Sequence, residues 1–131
     1  MMRRFQAAQP MESLSPVATA EDVAEASSQT RACQVSDDVM AYMAALCEAA
    51  RDPERVRLGP SPRALLALLR ISQALAAIRG RDYVIPDDVK ELAVPVLAHR
   101  VLLRGLQNRG TGADFIRELV ERLPVPTEDR A

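Results

Sequence analysis

The residues best suited to chemistry in this chain form a short motif, Ser61-Pro62-Arg63, at the predicted start of a long helix. Proline suits the first helical position because the N–H that it lacks would be unpaired there anyway. An arginine in the first turn is unfavourable, since the helix dipole already places positive charge at that end. Free backbone N–H groups and a guanidinium together form a strong anion site. The motif therefore predicts either a phosphate site that includes Arg63 or an arginine that extends into water.

Other polar side chains give weaker signals for catalysis. The one histidine, His99, has no second histidine and no nearby cysteine, whereas a metal site needs three or four converging ligands. The paired carboxylates Asp37/Asp38 and Asp87/Asp88 stand at predicted helix starts, where a structural role explains them. The sequence contains no P-loop, dinucleotide-binding or nucleophile-elbow motif. We therefore expect no metal site and no enzyme site within the chain itself.

The composition favours one compact domain in a reducing compartment. Hydrophobic residues make up 48% of the 131 residues and aromatic residues only 3%, so the core must be aliphatic. The net charge of −1 argues against a general nucleic-acid or anionic-membrane binder. Cys33 and Cys47 form no C-x-x-C pair and are expected to be buried free thiols. The chain has neither an apolar run of ~20 residues nor a signal-peptide core. We therefore expect a cytoplasmic protein that contacts no membrane.

Hydrophobic periodicity and capping residues predict an all-α bundle of about five helices. A first helix is expected from about Ala20 to Ala32, because Thr19 is a good N-cap and Asp22 completes a short capping box. A second helix follows the capping residue Ser36. Its apolar positions recur at steps of three and four residues until about position 51.

The longest predicted helix opens after Gly59 and runs to about Arg79, where Gly80 ends it. Its apolar face is wide enough for the central helix of a bundle. That face consists of Leu65, Leu68, Leu69, Ser72, Leu75, Ala76 and Ile78. A minimal two-stranded pairing is the most β structure that we expect, with residues 83–85 as the candidate partner of residues 56–58.

Two prolines and a polar loop shape the carboxy-terminal half. Pro86 should start a fourth helix. Pro95 should kink or split that helix near Leu92, because proline removes a hydrogen bond and crowds the preceding turn. A flexible polar loop is expected over residues 105–112, before a last helix. The predicted organisation is a linker over residues 1–18, a helical domain over residues 19–126 and a tail over residues 127–131.

Several short motifs follow one another in a fixed order between Leu58 and Arg104. They are supplied by Gly59, Ser61, Pro62, Arg63, Ala64, Gly80, Arg81, Tyr83, Val84, Pro86, Asp88, Val89, Pro95, His99 and Arg100. This order resembles the carboxy-terminal lid of MoxR-type AAA+ ATPases. The pattern of that lid is G-x-S-P-R-A, a long Leu/Ala helix, G-R-x-Y-V-x-P-x-D-V and a Pro-containing helix ending in H-R. The flanking segments are also similar, so the resemblance covers the chain from about Arg3 to Pro126.

The resemblance implies that Arg63 is the sensor-2 arginine, which approaches the ATP γ-phosphate from the lid. It places Gly59, Ser61 and Pro62 in the same nucleotide-binding turn. It also implies ATP and Mg²⁺ as ligands of the full-length protein and contact with an ATPase core. Neighbouring subunits of a hexamer-like ring, chaperone-like remodelling and partners with von Willebrand factor A domains are implied as well. The Walker A loop, Walker B acid and arginine finger are absent here. We therefore expect this chain alone neither to bind ATP tightly nor to hydrolyse it.

An alternative function uses the basic middle of the chain as a docking face. Residues 51–109 carry eleven basic and six acidic side chains. A standalone helical module could bind an acidic protein face or nucleic acid through Arg51, Arg55, Arg57, Arg63, Arg70, Arg79 and Arg81. Nucleic acid is the weaker option, because the chain has no aromatic stacking set and no recognition helix. A small enzyme is weaker still, since no nucleophile–base pair is present.

Overall fold

Residues 14–105 and 111–125 are described by a computed structural model, and within these ranges the chain forms five α-helices and a two-stranded antiparallel sheet. The helices are α1 (Ala20–Ala32), α2 (Asp37–Ala49), α3 (Pro62–Ile78), α4 (Pro86–Leu97) and α5 (Gly112–Arg122). One 3-10 turn (Ala98–Arg100) follows α4, and the strands are β1 (Val56–Leu58) and β2 (Leu102–Leu103). These elements confirm the predicted helical bundle with minimal β structure.

The core forms around α3, which packs against α1, α2 and α4, while α5 packs against α4. It is aliphatic, as the composition predicts. Its largest fully buried apolar side chains are Met43, Leu46, Leu68, Leu97, Ile116 and Val89. Burying one such side chain stabilises the fold by roughly 1.5–3 kcal/mol. Cys33 and Cys47 are buried free thiols in the same core, as expected.

The first two helices begin at the capping residues that the sequence indicates. The Thr19 hydroxyl accepts a hydrogen bond from the Asp22 N–H at 3.2 Å, and the Asp22 carboxylate accepts one from the Thr19 N–H at 2.7 Å. The Ser36 hydroxyl accepts a hydrogen bond from the Val39 N–H at 3.3 Å. Each bond satisfies an N–H that the helix itself leaves unpaired. The bounds of α1 therefore agree with the prediction.

The prediction of the strand partner was wrong. β1 pairs with β2, with Leu58 opposite Leu102, and residues 83–85 do not join it. Tyr83 instead forms an isolated parallel bridge with Gln34. The cause is the length of α3, because 17 helical residues at about 1.5 Å each carry the chain away from β1 before position 83. α4 then returns the chain to β1, where β2 pairs with it.

α4 passes through Pro95 without interruption, so the predicted split near Leu92 is also wrong. Proline leaves the carbonyl four residues earlier, that of Glu91, without its helical partner. Pro95 and Glu91 are both exposed, so water can solvate that carbonyl. Pro95 therefore leaves no buried carbonyl unpaired, and the helix continues to Leu97.

The carboxy-terminal end of α3 confirms one prediction and contradicts another. Gly80 ends the helix as predicted, with a φ of 74° that glycine adopts readily. Ile78, however, is 82% exposed, although it was assigned to the core-facing set. Ile78 lies two residues after the fully buried Ala76, about 200° further around the helix, so its side chain is on the side away from the core.

Some predictions concern parts of the chain that lie outside the described residues. They are the body of the loop at residues 106–110, most of the linker (residues 1–13) and the end of the chain (residues 126–131). None of the described helices has the length and the apolar character that crossing a lipid bilayer requires.

Candidate anion-binding site

Among the five described α-helices, α3 is the one whose first turn contains no acidic residue. Its N-cap, Ser61, has an extended backbone (φ −78°, ψ 166°), but the Ser61 hydroxyl accepts no hydrogen bond from the helix. Carboxylates at the other helix starts neutralise the positive end of the dipole. The first turn of α3 has no carboxylate that would neutralise this positive end.

Arg63 supplies the hydrogen-bond donors at this end. Pro62 has no N–H, and the Ala64 N–H is bonded to the Ser61 carbonyl at 2.8 Å. Arg63 is exposed, and neither its backbone N–H nor its guanidinium has a partner within residues 14–105 and 111–125. A free guanidinium at the positive end of a helix favours a bound anion such as phosphate.

The turn before Ser61 is fixed by tight packing against the end of α2. A Cβ added to Gly59 would lie 2.7 Å from the Arg51 Cγ and 2.9 Å from the Ala50 carbonyl oxygen. The Arg51 Nε donates a hydrogen bond to the Pro60 carbonyl at 3.0 Å. Gly59, Ser61, Pro62 and Arg63 lie in one turn because they are nearly consecutive in sequence, and Arg51 contacts that turn from the end of α2. Sequence reasoning placed Arg51 only in a general basic face.

A second polar cluster lies at the opposite end of α3. Asp88 is completely buried, and its carboxylate accepts hydrogen bonds from Arg81 at 2.7 and 2.8 Å, from Arg79 at 3.1 Å and from the Ile85 N–H at 3.0 Å. Burial works against the charged form, but the bonds from Arg81, the Ile85 N–H and Arg79 outweigh it and lower the pKa of Asp88. This cluster joins α3 to α4 and has a structural role.

The basic face of the alternative function is smaller than the sequence suggests. Arg55 binds Glu118 through two hydrogen bonds of 2.8 Å and stacks on Phe115 with 4.7 Å to the ring centre. Ion pairs also engage three other members of the set, namely Arg51, Arg79 and Arg81. In the described part of the chain, the members without a partner are Arg57, Arg63 and Arg70. The unpaired arginines of this set therefore lie on β1 and α3.

His99 has an ordinary environment, as expected. It is exposed, and its Nε2 accepts a hydrogen bond from the Arg100 Nε at 3.2 Å. In the described ranges, no three His, Cys, Asp or Glu side chains come together in a group that could hold a metal ion.

Comparison with known proteins agrees with this architecture. Residues 48–119 match the family model described as the AAA lid domain. Over 124 residues the chain is 34% identical to the uncharacterised protein YeaC of Bacillus subtilis, and the alignment covers 93% of this chain and 39% of YeaC. It is also 42% identical over 71 residues to the chaperone MoxR1 of Mycobacterium tuberculosis. That alignment covers 47% of this chain and 19% of MoxR1.

A solved structure has the same fold. The crystal structure of a proposed ATPase from Cytophaga hutchinsonii superposes with a TM-score of 0.85 at 25% identity. The match covers 96% of this chain and 42% of that protein chain. This chain therefore spans about two fifths of the length of both YeaC and the solved structure.

Proposed function

This chain belongs to the AAA lid domain family, with MoxR-type relatives, and from this premise we propose that it closes over a nucleotide and supplies Arg63 as its sensor-2 arginine. The nucleotide is held by an AAA+ core, and the lid contributes a cation beside the γ-phosphate. In this role the chain contributes to ATP hydrolysis without carrying the catalytic apparatus itself. The sequence contains no P-loop that could hold the phosphates.

The first turn of α3 is the observation that carries this proposal. Arg63 is exposed and unpaired in the described part of the chain, and no carboxylate competes for it within that turn. Charge builds up on the phosphoryl group and the leaving oxygen during phosphoryl transfer, and a fixed guanidinium stabilises that charge. Gly59, Ser61 and Pro62 shape the turn that presents Arg63. The Ser61 hydroxyl, which caps nothing in the helix, is available to a phosphate oxygen or to water.

ATP with Mg²⁺ is the substrate that this arrangement fits. A polyphosphate needs cations and N–H donors, which Arg63 provides at the amino-terminal end of α3. Mg²⁺ needs oxygen ligands, and the first turn of α3 has no carboxylate to provide one. We therefore assign Mg²⁺ to the core and the phosphates, and we assign only phosphate contact to the lid.

We infer further that the lid contacts an AAA+ core and neighbouring subunits of a hexamer-like ring in the cytoplasm. A relative over part of the chain is called chaperone MoxR1, which supports a chaperone-like remodelling activity. Partners with von Willebrand factor A domains are proposed from the family resemblance alone. The relatives are more than twice the length that the chain covers, which leaves room for a core in those proteins.

The test is ATP hydrolysis by the AAA+ ATPase that carries this lid, with Arg63→Ala compared to Arg70→Ala. Arg70 is also exposed and unpaired in the described residues, and it lies seven residues, about two turns, further along α3. We expect Arg63→Ala to lower kcat on the order of 10²-fold, because it removes a cation that acts on the transition state. Arg70→Ala should leave kcat within about twofold, because a surface substitution away from the site changes little.

Equal rates for the wild-type protein and Arg63→Ala would overturn the proposal. Thermal unfolding should accompany the assay, because Arg63 makes no described side-chain contact whose loss would weaken the fold. An unchanged melting temperature together with a reduced kcat is the expected pair of results.

A further inference from the structure

We propose that Arg51 is a positioning residue for the nucleotide-contacting turn, acting through Arg63. It holds the backbone of Gly59 and Pro60, so that α3 begins where Arg63 can reach a phosphate. The inference rests on the proposed function of Arg63. It adds a residue from the turn after α2, Arg51, that fixes the start of α3.

Arg51 makes two contacts with the turn, one polar and one apolar. Its Nε donates a 3.0 Å hydrogen bond to the Pro60 carbonyl, across nine residues of sequence. Its aliphatic stem lies so close to Gly59 that an added Cβ would be 2.7 Å from the Arg51 Cγ. Any other L-residue at position 59 would push the stem away. The side chain and the glycine are thus fitted to each other.

The hydrogen bond matters because α3 has no cap of its own. In α1, α2 and α5 the N-cap hydroxyl accepts a hydrogen bond from a backbone N–H in the first turn of its own helix; these N-caps are Thr19, Ser36 and Thr111. The Ser61 hydroxyl makes no such bond. The start of α3 is therefore fixed by a charge-assisted hydrogen bond from Arg51, which follows the C-cap of α2. Pro60 itself is fully buried, which anchors the other side of the turn.

A second contact of Arg51 provides a matched control. Its Nη1 forms a 3.0 Å ion pair with the Glu48 carboxylate, and the Arg51 and Glu48 side chains are 40% and 76% exposed. An exposed pair three residues apart contributes little to stability. Glu48→Gln removes this pair and leaves the bond from Nε to Pro60 in place. The two roles of Arg51 can therefore be separated.

The expected effect follows from the geometry of catalysis. A displacement of about 1 Å by a substitution away from the chemistry can cost up to 10²-fold in rate. Loss of the bond to Pro60 frees the turn, and Arg63 lies three residues beyond the bonded carbonyl. Because the guanidinium of Arg63 acts most strongly on the charge that develops in the transition state, we expect a larger fold-change in kcat than in KM.

The experiment measures kcat and KM for ATP in the AAA+ ATPase that carries this lid. Arg51→Met keeps the stem against Gly59 and removes the donors, and it should lower kcat by about 10- to 100-fold. Arg51→Lys keeps one charged donor and should restore part of that loss. Glu48→Gln should stay within about twofold of wild type. The double variant Arg51→Met/Arg63→Ala should be no slower than Arg63→Ala alone, because Arg51 acts through Arg63.

The possible failures are distinguishable. A normal kcat for Arg51→Met beside an impaired Arg63→Ala overturns the positioning role and leaves the proposed function in place. Losses that multiply in the double variant also overturn it, since Arg51 would then act independently of Arg63. A normal kcat for Arg63→Ala overturns the proposed function itself. If Arg51→Met does not fold at the assay temperature, Arg51→Leu, which also keeps a Cγ beside Gly59 and has no donor, is judged by the same criteria, alone and combined with Arg63→Ala.

Discussion

Arg81 and Asp88 face each other as a two-point ion pair, with Nη1 2.8 Å from Oδ2 and Nη2 2.7 Å from Oδ1. The Asp88 carboxylate is completely buried, and Arg79 and the Ile85 N–H donate the remaining bonds. The pair joins the end of α3 to the start of α4. α3 is therefore held at both ends, by Asp88 at its far end and by Arg51 at the end that carries Arg63.

Asp88→Asn should lower the free energy of unfolding by about 2–4 kcal/mol, because it leaves the charge of a partly buried arginine uncompensated. Asp87→Asn is the matched control. Asp87 is 75% exposed, and its one ion pair among the described residues is with Lys90 at 3.3 Å, so its loss should cost less than about 0.5 kcal/mol. Urea denaturation of the chain measures both values. Similar losses for the two variants would show that the buried network does not stabilise the junction.

The ion pair between Arg55 and Glu118 should give stability a specific dependence on pH. Hydrogen bonds from Arg55 and then Arg122 lower the pKa of Glu118 from 4.5 to about 2. A carboxylate with a lowered folded-state pKa stabilises the protein fully above its unfolded value, and this stabilisation is lost as the pH falls towards the folded value. Glu118→Gln should therefore be less stable than wild type at neutral pH. The difference should shrink between about pH 5 and pH 2.

Melting temperatures across this pH range test the effect, with Glu121→Gln as the control. Glu121 is exposed and takes part in no ion pair within the described ranges. Its substitution should leave the pH profile close to that of wild type. A constant difference between wild type and Glu118→Gln at all pH values would contradict the role assigned to the pair.

Removing the hydroxyl of Ser72 and that of Ser36 should change the free energy of unfolding in opposite directions. Ser72 lies at the centre of α3, completely buried, and its hydroxyl has no hydrogen-bond partner among the described residues. Ser72→Ala should raise the free energy of unfolding by about 0.5–1 kcal/mol, since an unpaired buried hydroxyl is costly. Ser36→Ala removes the N-cap of α2 and should lower the free energy of unfolding by about 1 kcal/mol. Destabilisation by Ser72→Ala would indicate that its hydroxyl is satisfied in solution.

Gly80→Ala and Gly59→Ala should both lower the free energy of unfolding, the first through backbone strain and the second through a steric clash. A Cβ at Gly80 meets nothing within 4 Å, but its φ of 74° should make Gly80→Ala cost about 1 kcal/mol. A Cβ at Gly59 would meet the Ala50 carbonyl oxygen at 2.9 Å, and Gly59→Ala should cost about 2–3 kcal/mol. Denaturant titrations of both variants provide the comparison. A smaller loss for Gly59→Ala than for Gly80→Ala would contradict the tight turn.

Local features of the fold were predictable because their causes lie within a few residues. The start of α1 depends on Thr19 and Asp22, and the end of α3 on Gly80, so short-range capping rules identify them. The partner of β1 was predicted wrongly because it depends on the length of α3. Leu58 and Leu102 are distant in sequence, and they pair because α3 and α4 together return the chain to β1.

The candidate site was predictable in part for the same reason. Arg63 at a helix start is visible in the sequence, because an arginine in a first turn contradicts the dipole rule. The role of Arg51 depends on a contact across nine residues with a carbonyl, which no side-chain pattern reveals. Likewise, the sequence identifies Asp88 as a helix-start residue. Its contacts with Arg79 and Arg81 could not be predicted, because they depend on how α3 and α4 pack together.

The central claim is that Arg63 contacts the γ-phosphate of ATP. The most direct measurement is a structure, by electron cryomicroscopy, of the AAA+ ATPase that carries this lid, bound to a non-hydrolysable ATP analogue with Mg²⁺. We predict the Arg63 guanidinium at about 2.7–2.9 Å from a γ-phosphate oxygen. The same map would show whether the nucleotide belongs to its own subunit or to a neighbour. An Arg63 side chain pointing away from every nucleotide in the ring would contradict the account.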